Sequence, residues 1–365
     1  MERRQSGKIK SIVMEICGCC NAKCLYCLQY RLKKEGYAGE IMSPALFETT
    51  LSHLIRLGVV ERKDSLGNPT MILLYNWGDP FLHPKLSDIL TIVKEKGFKA
   101  ALSSNFIKRP EIHGNVLDTI ASVTLSLSGF SDSTYGRIHG ADLKRVLENF
   151  DFFYANLRKD SPSTQIVISW HRYRFNEHEF WQMYRYFDRP GICIGPMYAY
   201  LNDMIEMASF VKKTLLPERL KQVERDLFLE IIARAMHGKK RYSKNYNCPA
   251  WDTITVDEKG ELLTCCGFSS YDSEHVHGKV TEMSAEEIFD SKMSDNFCYV
   301  CVSTGISRFV YEFPYLESWY WPAGGGLRGK IVKVRGLIGK TLRRLPQGET
   351  IAIYLKRIFK TKEFR

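Results

Sequence analysis

From residue 10 to about 196, short apolar runs alternate with stretches in which apolar residues recur every three or four positions. The short runs, at 10–16, 70–75, 98–103, 122–127, 164–170 and 191–195, read as strands. The longer stretches read as helices: 44–57 behind a Ser43 cap, 85–96, a short one at 111–117, 132–158 with an interruption near Gly140, and 177–187. Strand and helix in strict alternation predict an α/β fold with a parallel sheet built of βα units. Ligands in such folds sit at the C-terminal ends of the strands, so the turn after each short run is where chemistry is expected.

The turn after the first run holds five cysteines, and Cys20, Cys24 and Cys27 among them stand in C-x3-C-x2-C spacing. Three thiolates so spaced can seat an iron–sulfur cubane and leave its fourth iron open. The same i, i+4, i+7 spacing is also the stripe that a core helix buries, and zinc is another occupant of such cysteines. The Gly18, Asn21 and Lys23 in between favour a loop over a helix.

This loop after a first strand resembles the signature of the radical S-adenosylmethionine (SAM) enzymes, in which Tyr26 takes the place of the usual aromatic residue. The resemblance implies an open partial barrel, (β/α)6, in which a 4Fe-4S cluster on Cys20, Cys24 and Cys27 binds SAM through its open iron. Reduction then splits SAM into methionine and a 5′-deoxyadenosyl radical. Later turns extend the resemblance. Gly78-Asp79-Pro80 is similar to the motif that holds the SAM amino group, with Asp79 where Glu is commoner. Ser103-Ser104-Asn105 is similar to the polar turn that meets the ribose or carboxylate, and Ser126-Leu127-Ser128-Gly129 to a Ser-Leu-Asp-Gly motif, with Ser128 in place of the Asp. Arg137 and His139 fall where the family often carries an Arg-Gly near the SAM carboxylate. Taken singly, Gly-Asp-Pro is a common turn and Ser-Ser-Asn a common cap; their order at successive strand ends carries the argument.

A second set of cysteines follows a helical stretch at 215–236. Segments 251–256 and 261–264 flank Glu258-Lys259-Gly260 as a hairpin, which brings Cys248 and Cys265 together. Cys298 and Cys301 supply a C-x2-C pair. The arrangement resembles the SPASM extension in its truncated, twitch form, which implies a second, fully ligated 4Fe-4S cluster on Cys248, Cys265, Cys298 and Cys301. Zinc is the competing occupant of such a set, and Cys266 competes with Cys265 for its place. A closed cluster exchanges electrons without binding SAM, and this points to net oxidation with the auxiliary cluster as electron acceptor. The expected substrate is a sugar-like, aminocyclitol or lipid-linked alcohol, and the electron donor a flavodoxin or ferredoxin. A maturase acting on a peptide or protein, and a non-catalytic iron–sulfur or zinc-binding scaffold, are the rival readings. On the substrate side, His171 and Arg172 close the fifth strand and are the candidate catalytic residues.

Charge and composition narrow the picture further. The net charge of +11 suggests nucleic acid until it is located: residues 323–365 hold twelve Lys or Arg against two Glu, so the body is nearly neutral and no nucleic-acid partner is expected. Residues 309–321 hold seven aromatics, read as a seal over the barrel, and the basic tail beyond reads as amphipathic, able to touch an anionic membrane surface. No apolar run reaches the length of a membrane span and the start lacks a signal-peptide core, so a cytoplasmic chain is expected, peripheral at the inner membrane face where the tail binds. The expected division is a partial barrel at 1–203, a helical connector at 204–245, the auxiliary-cluster module at 246–322 and the tail at 323–365.

Overall fold

All six expected strands form and lie side by side. The computed structural model describes residues 9, 11–64, 67–112, 115–229 and 248–311. β1 (Ser11–Met14), β2 (Met71–Leu73), β3 (Lys99–Ser104), β4 (Ile120–Ser126), β5 (Gln165–Arg172) and β6 (Ile192–Tyr198) pair in parallel, each with its neighbour in the chain. Their C-terminal ends therefore open on one side of the sheet. The mixed α/β architecture with a central parallel sheet is that of the expected partial barrel.

Helices pack their apolar stripes on the outer face. α1 (Leu28–Lys34) follows Cys27 directly and was not expected from the sequence, because it is only seven residues long. α2 (Pro44–Arg56) starts where Ser43 accepts the backbone N–H of Leu46, and it buries Phe47, Leu51 and Leu54. α3 (Leu86–Glu95) buries Ile89, Leu90 and Val93. The expected break near Gly140 separates α4 (Asp132–His139) from α5 (Leu143–Asp160), with Gly140 ending α4 at a φ of 66°. Such a left-handed cap suits a residue without a Cβ. α6 (Phe180–Phe187) follows a short 3-10 turn, Glu177–Glu179.

Two expectations need correction. The stretch at 111–117 yields only a 3-10 turn, Leu117–Thr119, because Pro110 and Gly114 leave too few residues to repay helix nucleation. The helical stretch expected at 215–236 is interrupted: after α7 (Met204–Val211), α8 (Pro217–Asp226) ends at Asp226, Leu227 is extended, and Leu229 is helical again, with 230–236 outside the described residues. Asp226 is only 1% exposed and takes the Arg137 guanidinium at 2.6 Å, and its carbonyl accepts from Arg174 N, so the chain is held here rather than continued. Residues 230–247 of the connector lie outside the described residues, as do the basic tail and most of the aromatic run, from Phe313 on.

The hairpin is present and does more than expected. β7 (Thr253–Val256) and β8 (Glu261–Leu263) pair antiparallel, β9 (Val276–Lys279) adds to β8, and β7 itself pairs in parallel with β1, from Ser11↔Thr253 to Met14↔Val256. One nine-stranded sheet, in the order β6-β5-β4-β3-β2-β1-β7-β8-β9, thus runs through both the six parallel strands and the hairpin segment. The helices Ala285–Ser294 and Asn296–Thr304 follow, the first opened by a capping box of Ser284 and Glu287. Among the described residues no helix is long and apolar enough to cross a membrane.

Candidate active site

The loop after β1 is clamped from the side by the turn after β2. A Cβ on Gly78 would stand 1.9 Å from the Cys17 carbonyl oxygen, so only glycine lets the two backbones meet. Asp79 N donates to Cys19 O at 2.8 Å beside this contact. Glu15, buried at the end of β1, accepts the N–H groups of Trp77 at 2.7 Å and Gly78 at 2.6 Å through one oxygen. Burial, then the nearby Glu258 carboxylate, pushes its pKa up to about 8. Nothing in the sequence singles out Glu15 except a lone acid in an apolar strand.

Clamped in this way, the loop turns Cys20, Cys24 and Cys27 into one cavity of about 210 Å³, whereas Cys17 and Cys19 stay outside its lining. The three cysteines lining it are those of the expected C-x3-C-x2-C spacing. Cys20 and Cys24 each lie within electrostatic reach of Cys27, and burial is the first cause that raises all three thiols, Cys20 to about 12. A thiol so held stays protonated unless a metal centre supplies compensating charge.

Each thiol meets N–H groups. Ser128 N donates to His139 Nε2 at 3.0 Å, which leaves the ring proton on Nδ1, 3.2 Å from Cys24 Sγ, as a donor to the thiol. Asn105 Nδ2 lies 3.6 Å from Cys20 Sγ, and Cys27 caps α1, with the backbone of Gln29 and Tyr30 lowering its pKa against the effect of burial. His139, expected near a carboxylate of SAM, therefore supports a cysteine, and burial holds it neutral with a pKa of about 3. Arg137 does not face the cavity; it binds Asp226, which also accepts the Tyr26 hydroxyl at 3.1 Å.

The remaining turn residues gather as expected: Tyr26, Gly78, Asp79, Ser104, Asn105, Ser126 and Ser128 all line this cavity. Pro80 does not; it starts a buried 3-10 turn. The Asp79 carboxylate ties two turns together, accepting Ser104 Oγ and Asn105 N at 2.9 Å on one oxygen and Phe81 N at 2.9 Å on the other. Phe106, after this turn, holds a φ of 55° and is fixed by Phe81, Phe150 and Phe153 around it. A bulky residue at positive φ costs on the order of 1–3 kcal/mol, offset here by its complete burial.

His171 and Arg172 part company. His171 faces inward and lines the cavity, its N–H and Nδ1 both near Ser128 Oγ (3.0 and 3.1 Å), and burial lowers its pKa to about 4. Arg172, one residue on, points to the other face of β5, where it pairs with Glu177 at 2.8 Å and stacks on Tyr198. Alternation along a strand separates the pair, so Arg172 has no place in the cavity lining.

A second cavity of about 480 Å³ adjoins the first, and Tyr75, Asn76, Ser126, His171, Tyr200 and Asn202 line both. Its far wall carries Cys248, Cys265, Cys298 and Cys301, with Cys266 beside them. Cys298 and Cys301 share one face of the helix Asn296–Thr304. Two of these thiols also meet donors: Ser307 Oγ reaches Cys248 Sγ at 3.1 Å and Gly267 N reaches Cys265 Sγ at 3.4 Å, while burial pushes Cys298 up to about 11. Cys266 Sγ instead meets the Tyr311 hydroxyl at 3.5 Å. Hydrogen bonds to sulfur and a buried, all-thiol donor set are what an iron–sulfur cluster needs. Among the described residues no group of three or more His, Cys, Asp or Glu side chains closes on a point that could hold a single metal ion. A cubane gives each thiolate its own iron and so sets its ligands further apart.

No protein-family model matches the sequence, and none of the curated proteins is similar to it. Solved structures are similar in fold. Streptococcus suis SuiB bound to its precursor peptide SuiA aligns at 13% identity over 81% of this chain and 67% of that chain, with a TM-score of 0.50. SuiB alone aligns at 13% over 81% and 68%, again with a TM-score of 0.50. BtrN in complex with AdoMet and 2-DOIA aligns at 14% over 84% and 91%, with a TM-score of 0.44. With its cysteine loop at the end of the first of six parallel strands, the chain has the fold of the radical SAM enzymes.

Proposed function

We propose that the chain is a radical SAM oxidoreductase that oxidises a neutral, hydroxyl-bearing substrate held between two 4Fe-4S clusters. The observation that carries this reading is the shared wall: a molecule lying against Tyr75, Asn76, His171 and Asn202 touches both cysteine cavities at once. Cys20, Cys24 and Cys27 would hold the first cluster, and Asp79, Ser104, Asn105, Ser126 and Ser128 the polar groups of SAM beside it, against Tyr26. Cys248, Cys265, Cys298 and Cys301 would hold the second. When bound, the first cluster and SAM supply a 5′-deoxyadenosyl radical that removes one hydrogen atom from the substrate, on an electron delivered by a flavodoxin- or ferredoxin-type donor.

The substrate must then lose a proton and one more electron to become a carbonyl. His171 is the group that would take the proton: burial lowers its pKa to about 4 and keeps the ring neutral at pH 7, so one ring nitrogen is an acceptor, and Nδ1 shares a hydrogen bond with Ser128 Oγ at 3.1 Å. A cluster held by Cys248, Cys265, Cys298 and Cys301 would supply the acceptor for that electron. Among the described residues neither cavity is lined by a lysine or arginine, which favours an uncharged alcohol over a phosphate ester at the reacting end. A sugar, an aminocyclitol or the alcohol of a lipid-linked precursor fits this lining.

The test is anaerobic reconstitution followed by reduction with SAM. About eight irons per chain, four for each cubane, and release of 5′-deoxyadenosine are expected. Bound zinc with no SAM cleavage would overturn the proposal.

A further inference from the structure

Lys292, on the helix Ala285–Ser294, is only 1% exposed. Its ammonium donates to Ala250 O at 3.0 Å and to Thr253 O, both carbonyls of the turn that joins Cys248 to β7. Among the described residues no carboxylate pairs with it, and its own carbonyl lies 3.8 Å from Cys298 Sγ. A buried ammonium with only neutral partners costs several kcal/mol, and such a residue persists where an anion compensates it. Its partners Ala250 and Thr253 follow Cys248 closely in the chain and its own backbone touches Cys298, so the buried charge lies beside the cysteine set.

The first site is built differently. Among the described residues its cavity is lined by Asp79 and the three cysteines but by no lysine or arginine. Its positive charge would arrive with SAM, as the sulfonium and ammonium of the ligand. The second site, closed by four thiolates, takes no such ligand, and the protein supplies the cation itself.

We propose that Lys292 is the fixed counter-charge of the auxiliary cluster, raising its reduction potential so that it can take the electron left on the oxidised substrate. The inference rests on the proposed second cluster. Four thiolates around an oxidised cubane leave a net charge of −2, and the incoming electron makes it −3; a nearby ammonium stabilises the more negative state more strongly, so removing it disfavours reduction. Lys292 touches neither substrate nor iron; it acts through the charge of the site.

The experiment is a potentiometric titration, followed by electron paramagnetic resonance, of the reconstituted full chain and its Lys292→Met and Lys292→Arg variants. In Lys292→Met the equilibrium constant for reducing the second cluster should fall about tenfold, which is about 59 mV for a one-electron couple, with the first cluster unmoved. Lys292→Arg, which keeps the charge, should stay near the parent. Loss of the second cluster from the Met variant and its retention in the Arg variant would also support the assignment. An unchanged potential in Lys292→Met, or loss of the cluster from both variants alike, would overturn it in favour of a packing role. A parent chain that binds only about four irons would instead fail the two-cluster reading itself, and this inference with it.

Discussion

The two cysteine sites of this chain are made in opposite ways. The first draws its three thiols from eight consecutive residues on a single loop, and the fold has only to press that loop against the turns after β2, β3 and β4. The second draws four thiols from three places, before β7, after β8 and on the helix Asn296–Thr304, so it exists only when those elements have packed. One site is local in sequence and open to a ligand; the other is distributed and closed. The difference extends to charge, since among the described residues a buried ammonium, that of Lys292, lies beside the second set and the lining of the first cavity holds no lysine or arginine.

The largest expected effects separate the sites outright. Cys24→Ala should abolish 5′-deoxyadenosine formation while iron analysis still finds the second cluster, about four irons per chain. Replacing Cys298 and Cys301 together by alanine should remove the other half of the iron yet leave SAM cleavage, now without oxidised product. If either substitution emptied both sites, the two would not be independent.

A smaller effect probes the wall between them. His171→Gln should lower product formation on the order of 10²-fold, the lower range for a lost general base, with release of 5′-deoxyadenosine little changed. Equal loss of both products would assign His171 to SAM binding instead.

The smallest effect concerns the joint behind the first loop, where Glu15 meets the β7–β8 turn. Because its carboxyl has a pKa of about 8 in the folded chain against 4.5 for the free group, the folded state holds the extra proton between these values. Stability from this group is full below pH 4.5 and is lost as pH rises through 8. Glu15→Gln, which keeps an acceptor for Trp77 and Gly78 without the charge, should gain on the parent by about 1 kcal/mol per pH unit across that window, measured by denaturant unfolding. A pH-independent difference would show that Glu15 is not titrating there.

Local signals were the legible ones. The six strands, the Gly140 break and the β7–β8 hairpin follow from periodicity and turn chemistry, and the triplet Cys20, Cys24, Cys27 from spacing. What escaped depends on contacts between residues far apart. The pairing of β1 with β7, the proton of His139 aimed at Cys24, and the burial of Glu15 and Lys292 leave no periodic trace. Arg172 and His171 both close β5 in the sequence, and only the alternation of side chains along the strand separates them. Helix α1 escaped because seven residues are too few to show an amphipathic pattern.

The parallel pairing of β1 with β7 joins residues about 240 positions apart, Ser11 opposite Thr253. Closing so long a loop is slow, and a chain made from its N-terminus cannot begin it until β7 has left the ribosome. The triplet emerges within the first thirty residues and is complete long before the strand that will lie beside it. Biogenesis therefore has an order written into the sheet: the triplet's loop is complete long before the Cys248 set, which needs β7, β8 and the helix Asn296–Thr304 in place.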